Sequence, residues 1–531
     1  MRFSSNAASL ILGLLASTAG VSAAADAADI DAAPAVNEDS FVRGAYIVEL
    51  NGEQDATALY DELRSDGLAV KPRLDLKYRL FNGASFSVDD DDGEPDVTTS
   101  KIAGKLSVKG VWPVRKIKMP QPEAISIGRN GTTYSDTLLR SIKDRRDVAE
   151  KDTYSTHVMT QVDKLREAGL TGKGVKVAIV DTGIDYRHPA LGGCFGEGCI
   201  VAYGWDFTGD DYYSSSSAPI PDADPLDTCQ GQGTHVAGII MAQKNELGFT
   251  GVAPDATLGV YKVSGCAGYT TSEILVSAFY RAYEDGSDVI SCSAGDDSGW
   301  ASDAAGVAVS RIAEAGVPVI VAAGNSGNLG VWAVASPASG KAVAGIGSVD
   351  NTIMPNVMNR GTFVNETGKF AFGWQDSRPI PEANVTLQLW VGGVNNTGCE
   401  TIAEDVDLSN AIPLVPIDAC ASDTQAENLL ARGAKYILFY PSSESLYLPY
   451  VYTAGIEGIG MVMPRQAQDW IAYAENVTIT LGPPENSGLF AESTSNGPTA
   501  GYTSSFSSYG PTWELEVKPQ ITAPGGAILS T

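Results

Sequence analysis

Between Thr153 and Asp350 the chain alternates short apolar runs with segments of helical spacing, and this alternation narrows the choice of fold more than any other feature. Val175–Val180, Thr257–Val263, Val289–Ser293 and Val317–Ala322 have strand length and little polar alternation, as strands buried on both faces do. A helix beginning at Thr234 and helices over Ser272–Glu284 and Ser302–Ala315 lie between them. Repeated strand–turn–helix units predict an α/β fold, a parallel sheet with helices on both faces. The first strand ends in Val180-Asp181-Thr182-Gly183, so it carries a carboxylate to the sheet edge.

The flanking segments differ in character. Ala45–Leu50 alternates like a strand, Asp55–Asp66 has helical spacing, and Tyr78–Val88 alternates again, which predicts a small α+β module over residues 44–119. The polar stretch 120–152 contains Arg145-Arg146, which fits either a processing site for another protease or a solvated charge pair. Residues 352–498 break into short strands and prolines, with a helix at Thr424–Arg432 and a strand at Ala434–Tyr440, as a β-rich insert would. Residues 499–531 return to the α/β pattern of 153–351.

Composition bears on compartment and partners. The 531 residues suffice for several domains. Acidic side chains number 64 against 36 basic ones, a net charge of -28, which argues against nucleic acid as a partner. Met1-Arg2-Phe3, the apolar run Leu10–Ala16 and Val21-Ser22-Ala23 have the three zones of a secretory signal peptide over residues 1–23. That run is too short to span a bilayer, and no later segment approaches the roughly 20 apolar residues required, so a secreted protein without a membrane partner is expected. Glycosylation triplets at Asn130, Asn365, Asn384, Asn395 and Asn476 agree. Seven cysteines in an oxidising compartment predict up to three disulfides and one thiol. The expected pairs are Cys194 with Cys199, Cys229 with Cys266 and Cys399 with Cys420, leaving Cys292 buried and free. No Cys-x-x-Cys or His-Cys cluster supports a metal site, and no metal ligand is assigned.

Four motifs carry chemistry. They are Val180-Asp181-Thr182-Gly183, Gly231-Gln232-Gly233-Thr234-His235-Val236-Ala237-Gly238, Ser291-Cys292-Ser293-Ala294-Gly295 and Ala322-Ala323-Gly324-Asn325-Ser326-Gly327. In order and spacing they resemble the subtilase family of serine endopeptidases (peptidase S8), in particular fungal secreted forms, from about Tyr154 to Thr531. The resemblance implies a subtilisin-like sheet and acyl-enzyme chemistry on peptide bonds. It makes Asp181 the triad acid that holds a histidine tautomer. Asn325 becomes the oxyanion-hole donor, a contribution of about 2.7–4 kcal/mol as measured on subtilisin. Ser293, Ala294 and Gly295 become the strand that pairs with an extended polypeptide substrate, although Ala294 stands where a larger apolar residue is commoner. Residues 44–119 resemble the inhibitor-type propeptide, a partner carried in the same chain, and 352–498 the protease-associated insert. Calcium is common in the family, but the sequence places no ligands for it, and no cofactor is predicted.

The chain departs from the pattern twice. Gln232 occupies the position of the general-base histidine, and an amide has no basic lone pair with which to take a serine proton. In subtilisin, loss of that histidine costs about 10⁶ in turnover. His235 lies one helical turn further on, about 5.4 Å, beyond the roughly 3.2 Å reach of a general base, and reads as a packed structural histidine. His157 and His188 carry no catalytic expectation. The second departure concerns the nucleophile. Phe506–Thr512 and Lys518–Gly526 resemble the approach to it, but its Gly-Thr-Ser motif is not reached by Thr531, and Ser530 lacks that context. The expectation is a secreted subtilase-family protein that is impaired or inactive as a serine endopeptidase. Two alternatives stay open, an active endopeptidase whose chain continues past Thr531 and a non-catalytic peptide-binding protein.

Overall fold

The parallel sheet expected from the strand–helix alternation is present. The computed structural model describes residues 40–89, 95–120, 152–213, 218–245, 247–392, 397–442, 451–473, 476–484 and 487–531. The signal-like segment 1–23, the linker 121–151 with Arg145-Arg146, Asn130 and Asn395 fall outside these residues.

The first layer comprises β1 (Phe41–Leu50), α1 (Ala56–Ser65), β2 (Ala69–Tyr78), β3 (Phe81–Asp89), α2 (Pro95–Ala103) and β4 (Val108–Lys118). Asp55 starts α1 by accepting a hydrogen bond from Thr57 N–H at 2.8 Å. The strands run antiparallel in the order β2-β3-β1-β4, and one face packs on α1 through Leu59, Tyr60, Leu63 and Phe86. Short helices α3 (Ser155–Thr160) and α4 (Val162–Glu167) lead into the second layer.

That layer contains β5 (Lys176–Asp181), β6 (Val201–Asp206), α5 (Gln232–Met241), β7 (Thr257–Lys262), β8 (Tyr269–Thr271), α6 (Ser272–Glu284), β9 (Val289–Cys292), α7 (Ala304–Glu314), β10 (Val319–Ala322) and β11 (Ala344–Asp350). The wholly parallel order is β20-β11-β10-β9-β5-β7-β6, where β20 (Ile521–Gly526) is the last strand of the chain. Along β5, Ala178 and Val180 join the core with α6 and α7, whereas Val177 and Ile179 join the core with α5, so helices cover both faces. Helix α6 is buried almost all round because it is sandwiched: Phe279 and Tyr280 share one core with Leu76 and Phe81 of the first layer. Tyr280 stacks on Tyr78 at 5.5 Å and on Phe81 at 5.6 Å.

Between β11 and β20 lie β12 (Ile353–Asn365), β13 (Gly368–Ser377), β14 (Val385–Trp390), β15 (Ala411–Pro416), α8 (Ser422–Leu430), β16 (Tyr436–Tyr440), β17 (Gly458–Val462), α9 (Pro464–Tyr473), β18 (Thr478–Leu481) and β19 (Leu489–Ser495). Their sheet has the order β13-β17-β16-β15-β14-β18-β12-β19, and β13 pairs again with β12, so seven strands close into a ring around Phe372, Trp374 and Leu414. Strands β11 and β20 meet directly, Ile346 opposite Ile521, although the whole β-rich segment separates them in sequence.

One expectation is corrected. The helix carrying the His235 motif starts at Gln232 rather than Thr234. The turn before it is fixed by Asp227, which accepts from the N–H groups of Cys229, Gln230 and Gly231, and within the helix Gly233 N–H donates to Thr182 Oγ1 at 3.0 Å. With Gly231 at φ +81 as the turn, the helix can begin two residues earlier than its apolar pattern suggests. All three disulfides pair as expected, and Cys292 is free and buried.

Candidate active site

Asp181 ends β5 with no solvent exposure. Its Oδ1 accepts from Thr182 N–H at 2.7 Å, while Oδ2 finds no partner among the described residues. Burial pushes the carboxyl up to about 7, more than the Thr182 hydrogen bonds lower it. Helix α5 crosses beside it at close range, because a side chain at Gly233 would meet Gly183 O at 1.9 Å and Asp181 Cβ at 3.3 Å. Gln232 is therefore set at the first turn next to Asp181. Its Nε2 donates to Ser293 O at 3.3 Å, and its Oε1 is buried without a partner. An acid with an unused oxygen stands beside an amide turned toward the strand on its other side.

The neighbouring strands supply the other expected residues. Strand β9 pairs with both β5 and β10, so Ser293, Ala294 and Gly295 leave the sheet between Asp181 and the loop after β10. This is the carboxyl-end crevice where open α/β sheets bind ligands. Gly295 is required by close approach: a Cβ there would lie 2.4 Å from Ser336 O, across the Asp296–Ser336 bridge. Ala294 is 4% exposed and faces the core. Asn325 is exposed on the loop after β10. That loop is anchored from behind, where Ser326 N–H donates to Ser508 Oγ at 2.9 Å. Asp181, Gln232 and Ser293 are thus brought together, and Asn325 lies two strands from Asp181 along the same edge.

His235 is placed elsewhere. Its Nε2 meets Ile528 O at 3.2 Å, and burial lowers its pKa. Ser530 Oγ donates to His235 O at 2.6 Å and Thr531 Oγ1 to Thr234 O at 2.7 Å, so both hydroxyls are spent on the backbone of α5. His157 pairs with Asp152 at 2.7 Å, and His188 Nδ1 accepts from Ala190 N–H. Burial raises the Cys292 thiol to about 12, which keeps it an unreactive core group.

Three contributors were not read from the sequence. Asp227, 1% exposed, ties the loop before α5 to Thr182 through Oδ2 at 3.2 Å. Lys262, 1% exposed, stands behind Gly183 and pairs with Asp206 at 3.1 Å. The three-residue strand β8 pairs antiparallel with β4, Lys116 opposite Thr271, Ile117 opposite Thr270 and Lys118 opposite Tyr269, and Met119 N–H continues the ladder to Gly268 O at 2.8 Å. The first layer thereby lays an extended chain along this edge. Neither β4 nor β8 was among the strands expected from the sequence.

Among the described residues one group of metal-ligand types converges, Asp210 with Cys229 and Cys266. The two sulfurs are bonded to each other, which leaves a single carboxylate. No helix among the described residues is long and apolar enough to cross a membrane.

The sequence profile of the subtilase family matches residues 172–531. Minor extracellular protease Vpr of Bacillus subtilis (strain 168) is 30% identical over 369 residues, 69% of this chain and 42% of its own length. Subtilisin DY of Bacillus licheniformis is 34% identical over 206 residues, 39% of this chain and 65% of its own. A solved structure, the psychrophilic subtilisin-like protease Apa1 from Pseudoalteromonas sp. AS-11, covers 66% of this chain at 20% identity and a TM-score of 0.39. The chain spans about half the length of the curated relatives it matches.

Proposed function

Since the chain belongs to the subtilase family, we propose that it is an extracellular subtilase-type protein whose crevice takes an extended polypeptide, and that peptide hydrolysis is impaired in this chain. Asp181 fills the position of the orienting acid, Asn325 that of the oxyanion donor, and Ser293, Ala294 and Gly295 that of the substrate strand. Gln232 fills the position of the general base. The observation that carries the reading is the orientation of Gln232: its amide nitrogen is spent on Ser293 O while Asp181 Oδ2 has nothing to orient. Without an imidazole between acid and nucleophile, neither proton transfer of acyl transfer has a carrier.

Residues 44–119 act in this reading as an inhibitor-type propeptide, since β4 already occupies the edge strand β8 as a substrate would. Residues 352–498 correspond to a protease-associated insert. The extracellular location rests on the signal-like pattern of residues 1–23, the three disulfides, the exposure of Asn384 and Asn476, and a relative whose name describes an extracellular protease.

The test is hydrolysis of a quenched peptide library by the full chain, beside its Asp181→Ala variant. The expected rate equals that of buffer for both. Turnover that Asp181→Ala abolishes would overturn the reading and establish an active endopeptidase.

A further inference from the structure

The β4 ladder positions one side chain in a cavity of its own. Arg115, Ile117 and Met119 point inward along β4, while Lys116 and Lys118 alternate outward. Arg115 N–H donates to Ser272 Oγ at 3.0 Å, one step beyond the paired residues, and its Nε ion-pairs with Asp296. The guanidinium also lies 4.9 Å over the Phe41 ring. The space around it is about 150 Å³, with Asp296, Asp303, Ser272 and Ser336 on its wall.

The wall is built for a cation. The Asp296 side chain is 17% exposed, and burial raises the carboxyls of both Asp296 and Asp303, with Arg115 opposing the rise in each. Ser336, 3% exposed, lines the same space beside Asp303, whose carboxyl it holds down as a hydrogen-bond donor. Two half-buried carboxylates side by side are costly to ionise unless a cation sits between them. Planar donors of an arginine suit such a wall, and a lysine ammonium would satisfy it in part.

We propose that this cavity is a selectivity pocket for an arginine or lysine side chain of an extended polypeptide lying on β8, and that Arg115 occupies it in place of that ligand. The proposal rests on the reading of the crevice as a polypeptide groove and adds to it the charge of the residue selected. Because β8 and Ser293–Gly295 flank the same crevice, a polypeptide seated as β4 is would place its basic residue in the pocket four positions ahead of the one facing Gly268.

The test uses the full chain nicked within residues 121–151, with both pieces held in their complex. Labelled peptides Val-Arg-Lys-Ile-Lys-Met, and the same peptide with Lys, Ala or Glu in place of the Arg, compete for β8 in this complex and in its Asp296→Asn variant. The expected result is displacement by the Arg peptide at a concentration at least about 30-fold below that of the Ala peptide, the low end of what losing one partner of a buried charge pair costs. The Lys peptide should fall between them and the Glu peptide should not compete. In Asp296→Asn the Arg advantage should collapse, and Asp303→Asn supplies a second variant should the first lose its fold. Equal competition by Arg and Ala peptides overturns the pocket alone, as does an Arg preference that survives both substitutions. No binding by any peptide to a folded complex overturns the groove reading, and the pocket with it.

Discussion

Replacing Asp181 by asparagine tests the state of the site directly. The side chain is fully buried, one oxygen accepts from Thr182 N–H, the other is unpartnered, and burial raises the pKa from 3.8 to about 7. Below about pH 4 both folded and unfolded chains hold the proton, and the group contributes nothing to stability. Between about pH 4 and 7 the unfolded chain is ionised while the folded one stays protonated, so each pH unit removes about 1.4 kcal/mol from the folded state. Above about pH 7 both are ionised, and the full penalty reaches about 4 kcal/mol as an upper figure. Asparagine keeps an acceptor for Thr182 and carries no charge. In urea unfolding the Asp181→Asn variant should match the parent at pH 4, gain steadily to pH 7, and stay several kcal/mol more stable at pH 8. A difference that does not change with pH would refute this, as would a variant that is less stable at pH 8. The first result would mean a carboxyl whose pKa is the same folded and unfolded, and the second a carboxylate that is ionised and paired, as one holding an imidazole would be.

Gln232→His should give Asp181 Oδ2 a donor, so in that background Asp181→Asn should lose most of its advantage at pH 8 in the same unfolding series. Arg311 binds both oxygens of Glu49 at 2.8 and 2.9 Å across the two layers, and Arg311→Ala should weaken their docking by about 1.5–3 kcal/mol, read as faster hydrogen exchange in β1 and α7. The Asp296 carboxyl is raised to about 6 by burial even with Arg115 beside it, and Phe41, Trp112, Pro113 and Ile117 of the first layer supply part of that burial. Burial outweighs Arg115, so undocking lets the carboxyl fall back toward its ordinary value; docking therefore takes up a proton, and the nicked complex should dissociate more readily as pH rises through about 6, with Asp297 and Asp303 facing the same group. A pH-independent dissociation constant would count against this. Replacing Cys229 and Cys266 by alanine opens a loop of 37 residues and should cost up to about 4 kcal/mol in urea unfolding.

Local signals carried the sheet and its helices. Val175–Val180 differs from β5 by one residue, and Ser272–Glu284 matches α6 at both ends, because apolar periodicity and the short-range connections between these elements agree. The cysteine pairs were legible because Cys194 and Cys199 are only 5 residues apart and the members of the other two pairs, 37 and 21 residues apart, share segments. What escaped depends on contacts distant in sequence. Strand β8 has three residues and exists only because β4, some 150 positions earlier, lies against it. Arg115 and Asp296 look like ordinary surface charges until those strands pair. The early start of α5 depends on the Asp227 carboxylate collecting three amides, which no helix periodicity reports.

The eight-stranded segment leaves and returns through neighbouring strands, Ile353 opposite Ser495, and the parallel sheet closes beneath it with Ile346 against Ile521. Entry and exit are thus one strand spacing apart, about 5 Å, a gap that a turn of a few residues could bridge. The segment is a cassette: its interior can diversify, lengthen or be exchanged for another module while the crevice edge built by β5, β9 and β10 keeps its geometry. A lineage carrying this architecture can therefore remodel this segment without moving the strands that hold Asp181, Ser293 and Asn325 along the crevice edge.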